Sequence, residues 1–146
     1  MGDHGPDHIP TNPDKSAFNH WPNGLYEEML SGHDNGCVGS VLVSETDRVR
    51  VWHLTIPVGG RCGFHRHVNP YFWTALTAGT ARNYVSSGAI SEATYNAGET
   101  RHFHYGPGDQ MVHSLENIGD TELAFTTVEF LDGTNPPLPI PDEFRL

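Results

Sequence analysis

The 146-residue chain has few cysteines, few basic residues and no long apolar run. Its two cysteines, Cys37 and Cys62, are too far apart in sequence for a C-x-x-C site, and we expect both to be reduced structural thiols. No apolar stretch approaches the ~18 residues of a membrane span, and no basic segment followed by an apolar one indicates a secretory signal. We therefore expect a cytoplasmic protein that does not contact a membrane.

Lysine and arginine are scarce, with 8 basic against 18 acidic residues and a formal net charge of -10. Such a chain has no basic patch to neutralise phosphates, which argues against nucleic acid as a partner. The acid excess can also be an ordinary means of keeping the protein soluble. The partner that the composition favours is a neutral or cationic small molecule.

The chain also lacks a convincing long helix. Its 16 glycines and 11 prolines mark turns between short runs rich in β-branched and aromatic residues. This pattern predicts a single all-β domain, a sandwich or barrel, over residues 38–131. Residues 1–37 form an N-terminal arm, polar over its first 20 residues, with a short helix over residues 23–30 that Asn23 caps. Residues 132–146 are a Pro-rich, extended tail.

Half of the ten histidines fall in two segments with strand propensity. His65 and His67 form one H-x-H pair, His102 and His104 form a second, and His113 follows nine residues later. Residues i and i+2 of a strand face the same side, roughly 7 Å apart, so two such imidazoles can converge on one ion. Neutral imidazole is the commonest side-chain metal ligand. The sequence therefore predicts a metal held mainly by nitrogen.

The histidines stand in two motifs that glycines mark. The residues are Gly59, His65, His67 and Gly79 in the first motif, and Gly98, Pro107, Gly108, His113 and Asn117 in the second. These motifs resemble the two of the cupin family of small jelly-roll barrels, which are roughly G-x5-H-x-H-x3,4-E-x6-G and G-x5-P-x-G-x2-H-x3-N. The resemblance spans about residues 38–131 and implies a double-stranded β-helix barrel that binds one divalent metal ion.

The chain departs from the cupin pattern in two places. Tyr71 or Phe72, depending on the spacing, stands where the family has its glutamate ligand, and the second motif is four residues longer than the pattern. A longer strand in that motif can carry a histidine to the vacated position. Our hypothesis is a four-histidine site made of His65, His67, His104 and His113, with His102 as the alternative fourth ligand.

Four neutral imidazoles leave a divalent ion with its full charge, which makes it a strong Lewis acid. Zinc is the metal we expect first, and iron, nickel and copper are alternatives because they also accept imidazole. A closed tetrahedron of four nitrogens would instead be a structural zinc site, since a catalytic site keeps open positions.

Aromatic residues surround these ligand positions in the sequence and predict an apolar cavity that stacks on a flat ring system. Arg66 and Arg101 should point opposite to the neighbouring histidines, towards the exterior. Glu129 is an acid/base candidate if it faces inward, and an outward Glu129 is an equal alternative. The predicted walls of the substrate pocket are Phe64, Phe72, Trp73 and Phe103, and the residues predicted to move protons are His102, Tyr71 and Tyr105.

The motif, rich in histidine and without glutamate, is similar to that of the small cupin-type cyclases of bacterial aromatic polyketide (antibiotic) biosynthesis. This resemblance implies a non-redox, metal-dependent cyclase or lyase that catalyses aldol-type cyclisation and aromatisation of a poly-β-ketone. Two alternatives stay open: an iron, nickel or copper dioxygenase of the cupin type, and a non-catalytic cupin that binds a small molecule. Analogy with cupins also implies a homodimer.

Overall fold

The computed structural model describes residues 16–146, so most of the polar part of the predicted N-terminal arm lies outside the described residues. Within this range nine β-strands form two antiparallel sheets, and the predicted all-β architecture is confirmed. The strands are β1 (Val41–Glu45), β2 (Val49–Ile56), β3 (Arg61–His67), β4 (Tyr71–Ala75), β5 (Gly79–Val85), β6 (Ile90–Tyr95), β7 (Thr100–Phe103), β8 (Met111–Asn117) and β9 (Leu123–Phe130).

The two sheets pack face to face around the core. The five-stranded sheet has the order β1-β2-β9-β4-β7, and the four-stranded sheet has the order β3-β8-β5-β6. Burial alternates along β2 and β9, because successive side chains of a strand point to opposite faces. The inward residues of both sheets meet in one apolar cluster made of Leu54, Ile56, Ala75, Ala81, Tyr95, Leu123 and Phe125.

The N-terminal arm covers the outer face of the four-stranded sheet. It contains a 3-10 helix (Ser16–Phe18) and one short helix, α1 (Leu25–Ser31). The predicted cap Asn23 is wrong, because Gly24 is the N-cap residue, with a φ of 85° that glycine adopts without strain. The arm packs in a cluster made of Phe18, Trp21, Leu25, Tyr26, Met29, Phe64, Tyr84 and Val112.

The C-terminal segment returns to the five-stranded sheet. It contains a 3-10 helix (Asp142–Phe144), and Arg145 forms a single bridge with Leu42 of β1. Ile140 packs on Trp52 in a cluster at the edge of the core. In the described part of the chain, no helix has the length and apolar character needed to cross a bilayer.

Candidate metal centre

Three of the predicted ligands converge on the inner face of the four-stranded sheet. His65 and His67 come from β3, and His113 comes from the neighbouring strand β8, where it stands opposite His65. A register shift between Cys62 and His65 precedes the pair. One nitrogen from each imidazole lies within 4.8 Å of the others, so the three histidines can hold a metal ion.

Hydrogen bonds on the far side of two rings decide which nitrogen faces the cluster. The Nδ1–H of His65 donates to the carbonyl oxygen of Gly63 over 2.9 Å. The Nδ1–H of His113 donates to Oδ1 of Asn83 over 2.8 Å. Because each Nδ1 carries the proton, each Nε2 presents a lone pair, which is the arrangement that metal-bound histidines require.

The Nε2 atoms of His67 and His113 are 3.1 Å apart, the distance of an N–H···N hydrogen bond. His113 offers the lone pair, so the Nε2–H of His67 donates, and the buried Nδ1 of His67 has no partner among the described residues. A cation that takes the place of this proton would be bound by both Nε2 lone pairs. Imidazole nitrogens suit zinc, iron(II), nickel and copper alike, so the donor set fits a metal of this class. Among the described residues, this group of ligands contains no carboxylate.

Burial keeps all three imidazoles neutral. Burial lowers the pKa of His65 to about 4, although the hydrogen bond to Gly63 opposes the shift. Burial also lowers the pKa of His67 and of His113 well below the usual value, and the nearby histidines add to the effect. At neutral pH the lone pairs are therefore free to bind an ion, and no proton has to leave first.

Tyr71 faces the cluster from the other sheet. Its side chain is buried, and its ring stacks on His67 with 4.2 Å between ring centroids and 14° between planes. Burial raises the pKa of Tyr71 well above its usual value, and the charge and hydrogen bond of Tyr105 add to the shift. The Tyr71 phenol is thus protonated at neutral pH and acts as a hydrogen-bond donor rather than a base.

A cavity of about 230 Å³ lies beside the three histidines, between the two sheets. The predicted wall residues Trp73 and Phe103 line it, together with Tyr71. Trp73, Tyr95 and Phe125 contact one another edge to face with centroid separations of 5.3, 5.4 and 5.1 Å. The arrangement gives the histidines an apolar, aromatic chamber in which a flat ligand can stack.

The structure does not bring the second H-x-H pair to the cluster. The strand β7 ends at Phe103, and His104 is exposed beyond it, so its predicted role as fourth ligand is wrong. His102 is also exposed and contacts Phe72, with 5.2 Å between ring centroids. The reason is strand parity: Phe103 pairs with the inward Tyr71, so the residues on either side of it point outward.

Two predicted pocket residues lie elsewhere. Phe64 is on the opposite face of β3 from the histidines and stacks on Trp21 of the arm, 5.6 Å between centroids. Phe72 is on the outer face of β4, where it contacts Phe130. By the same parity, the expected exterior position of Arg101 is wrong, since Arg101 lines the cavity.

Other titratable groups lie behind the cavity wall. Tyr105 stacks on Tyr71 at 6.1 Å. Glu129 faces inward and is buried, and it accepts hydrogen bonds from Trp52 Nε1 (2.8 Å) and Asn69 Nδ2 (3.3 Å). Burial raises the pKa of the Glu129 carboxyl, and these two hydrogen bonds oppose the shift. Glu129 does not belong to the cavity lining, so its inward side chain is not aimed at a ligand there.

Both cysteines are free thiols. The Sγ of Cys62 is 3.6 Å from the Nδ1 of His65. Burial raises the pKa of the Cys62 thiol to about 11. Cys62 contacts the Nδ1 side of His65, which bonds the Gly63 carbonyl, and it does not belong to the group of three converging ligands, so its position fits the structural thiol that the sequence predicts.

Sequence reasoning missed Asn83, which orients His113 from the adjacent strand β5. No motif marks this residue, and only the pairing of β5 with β8 brings it beside the histidine. The inward position of Arg101 could have been found from strand parity, had Phe103 been identified as the inward residue of β7.

No family model and no curated protein sequence matches this chain, but solved structures do. A cupin domain from Bordetella pertussis Tohama I is 25% identical with a TM-score of 0.53, over 60% of this chain and 85% of that one. A conserved protein with a double-stranded β-helix domain from Klebsiella pneumoniae is 22% identical with a TM-score of 0.50, over 64% of this chain and 76% of that one. The chain therefore has the predicted cupin-type double-stranded β-helix fold.

Proposed function

We propose that this protein is a metal-dependent enzyme in which His65, His67 and His113 hold one divalent ion, zinc as the first expectation. The observation that carries the proposal is the convergence of three neutral imidazoles on one wall of a cavity. A structural zinc site is closed by four protein ligands, whereas a catalytic one has three and leaves a position for substrate. With three ligands beside a cavity, the centre has the composition of a catalytic site.

The reaction we propose is the non-redox cyclisation of a carbonyl substrate, as in aldol-type closure and aromatisation of a poly-β-ketone (polyketide). A bound divalent ion supplies Lewis-acid chemistry, which polarises a carbonyl oxygen. The absence of a carboxylate from the ligand group supports this role, because nothing among these ligands neutralises the charge of the ion.

Tyr71 is the residue of this chain best placed to move a proton in that reaction. Its phenol is held neutral beside His67, so it can donate a hydrogen bond or a proton to an oxygen that becomes negatively charged. The ring of Tyr105 stacks on the ring of Tyr71 and helps to hold it in place. His102, which the sequence suggested for proton transfer, faces the opposite side of the sheet and has no part in this proposal.

The cavity limits the size of the substrate. Its volume of about 230 Å³ lies below the range of about 300–1,000 Å³ that is usual for drug-sized ligands. The aromatic side chains of Trp73 and Phe103 provide flat, apolar walls. We therefore propose that the chamber encloses the reacting segment of a polyketone, the size of a small ring system, and that the rest of the chain lies at the mouth.

The nitrogen-only donor set also suits the second candidate, a dioxygenase of the cupin type that uses iron, nickel or copper. Anaerobic turnover separates the two. We expect zinc-loaded protein to cyclise a short poly-β-ketone under argon, and His67→Ala to abolish this activity. A suitable probe is 3,5,7-trioxooctanoate, in which C2 attacks the C7 ketone and loss of water gives an aromatic ring. The matched control is His53→Ala, which removes an exposed histidine of β2. Strict dependence of turnover on oxygen would reject the non-redox proposal in favour of the dioxygenase.

A further inference from the structure

The charges that line the cavity differ from those of the whole chain. The protein has a formal net charge of -10, yet among the described residues that line the cavity there is no aspartate or glutamate. The lining contains a single arginine, Arg101, and no lysine. The described lining therefore carries one fixed charge, a cation, to which the proposed divalent ion would add positive charge.

Arg101 sits at the mouth of this cavity. It stands on β7 opposite Trp73, and its Cζ lies 5.9 Å from the centre of the Trp73 ring. Its side chain is 61% exposed. The Nη2 atom contacts Oε2 of Glu99 at 3.2 Å, and in the described part of the chain Nε and Nη1 have no acceptor. A planar guanidinium with donors to spare is suited to a carboxylate.

From this placement we propose that the substrate carries an anionic group, a carboxylate, which Arg101 binds at the mouth of the cavity. The ring system of the substrate lies against the Trp73 and Phe103 side chains that line the cavity, and its carbonyl end reaches the three histidines. The position of the carbonyl at the histidines rests on the proposed function, whereas the carboxylate contact rests on Arg101 alone. The substrate class that the net charge favoured, neutral or cationic, is replaced by an anionic one.

The register of the strands sets the spacing between the two ends of the substrate. Trp73 and Arg101 form one cross-strand pair, and Tyr71 and Phe103 form the next inward pair, roughly 7 Å along the strands. Tyr71 in turn stacks on His67. The carboxylate and the carbonyl must therefore lie at opposite ends of a flat ring, because adjacent groups could not reach both.

Electrostatics supports an anion over a neutral group at this position. Glu99 offsets part of the Arg101 charge, but its carboxylate is outside the lining of the cavity. An anion that enters meets no carboxylate on the walls. It gains a charge-assisted hydrogen bond at the mouth, and the divalent ion proposed at the histidines would attract it further.

The test is calorimetric binding of two matched probes, 4-(3-oxobutanoyl)benzoate and its neutral methyl ester, to the zinc-loaded full chain. We expect the carboxylate to bind about tenfold more tightly than the ester, as one charge-assisted contact implies. In Arg101→Gln this preference should disappear, with little change in ester affinity. The control is Arg82→Gln, because Arg82 also pairs with a glutamate, Glu92, but does not line the cavity.

Equal affinity of the wild type for both probes, failure of the carboxylate to bind, or a preference that survives in Arg101→Gln would overturn the proposal. The same titration without metal separates it from the proposed function. A preference for the carboxylate that persists in metal-free protein supports the role of Arg101. If zinc leaves the affinity of both probes unchanged, that separate result counts against a carbonyl bound at the histidines.

Discussion

At the scale of single residues, partners of the imidazoles determine what the histidines can do. Gly63 and Asn83 accept the Nδ1 protons of His65 and His113, which fixes the tautomer of each ring and aims Nε2 at the cluster. Such partners orient metal ligands and raise their basicity. Asn83 is therefore as much a part of the proposed centre as the ligands, although it does not touch the ion.

We expect Asn83→Leu to weaken metal affinity by about 10- to 100-fold, because the Nδ1–H of His113 then has no acceptor. Asn83→Asp should retain the affinity of the wild type or exceed it, since a carboxylate accepts the same proton. Competition with a chromogenic chelator measures both. An unchanged affinity in Asn83→Leu would show that the hydrogen bond does not orient His113.

Tyr71→Phe isolates the phenolic hydroxyl. The stacked ring against His67 stays in place, so metal content should be unchanged. Turnover of the poly-β-ketone should fall about 100-fold or more, the usual effect of removing a positioned proton donor. Steady-state kinetics with parallel metal analysis checks this. A variant with full kcat would remove Tyr71 from the reaction.

At the scale of the strand, parity separates the site from its surroundings. The two H-x-H pairs look alike in sequence, but the pair on β3 faces the cavity and the pair at the end of β7 faces away. The spacing predicts that two residues share a face, not which face it is. The same uncertainty misplaced Phe64 among the pocket residues, although it packs under the arm.

Truncation of Phe64 should therefore affect stability and leave the metal centre alone. Phe64 is 3% exposed and packs in the cluster that joins the arm to the sheet. We expect Phe64→Ala to lower the free energy of unfolding by about 3–5 kcal/mol, as is usual for a buried phenylalanine. Urea denaturation measures the loss, and metal stoichiometry should remain that of the wild type. Loss of metal with little loss of stability would place Phe64 at the site after all.

At the scale of the whole molecule, the turn pattern and the two glycine-bounded motifs were sufficient to predict the barrel and three histidines that converge in it. The remainder depends on contacts between distant segments. Strand pairing places Asn83 beside His113 and brings Arg101 over Trp73, and neither contact has a local signal in the sequence. The same strand pairing buries the three histidines, and their burial makes the stability of the folded protein depend on pH.

We expect the metal-free protein to lose stability as the pH falls below about 6.5, the pKa of an unfolded histidine. The folded-state pKa of His65 is lowered to about 4, so the unfolded chain binds protons first, and the stability present above pH 6.5 declines towards pH 4. For His65 alone the shift corresponds to about 3 kcal/mol. Urea denaturation between pH 7 and 5 should show the decline, with a smaller slope in His65→Asn. Constant stability over this range would mean that the imidazoles are not buried as described.

The most direct test of the three-histidine centre is elemental analysis of the untagged protein, purified without chelators, in parallel with His67→Ala and His104→Ala. We expect about one divalent metal ion per chain in the wild type and in His104→Ala, and almost none in His67→Ala. The reason is that His67 belongs to the group of three histidines whose nitrogens lie within 4.8 Å of one another, and His104 does not. If the wild type binds no metal even on titration, or if His104→Ala loses it as fully as His67→Ala, the three-histidine centre is contradicted.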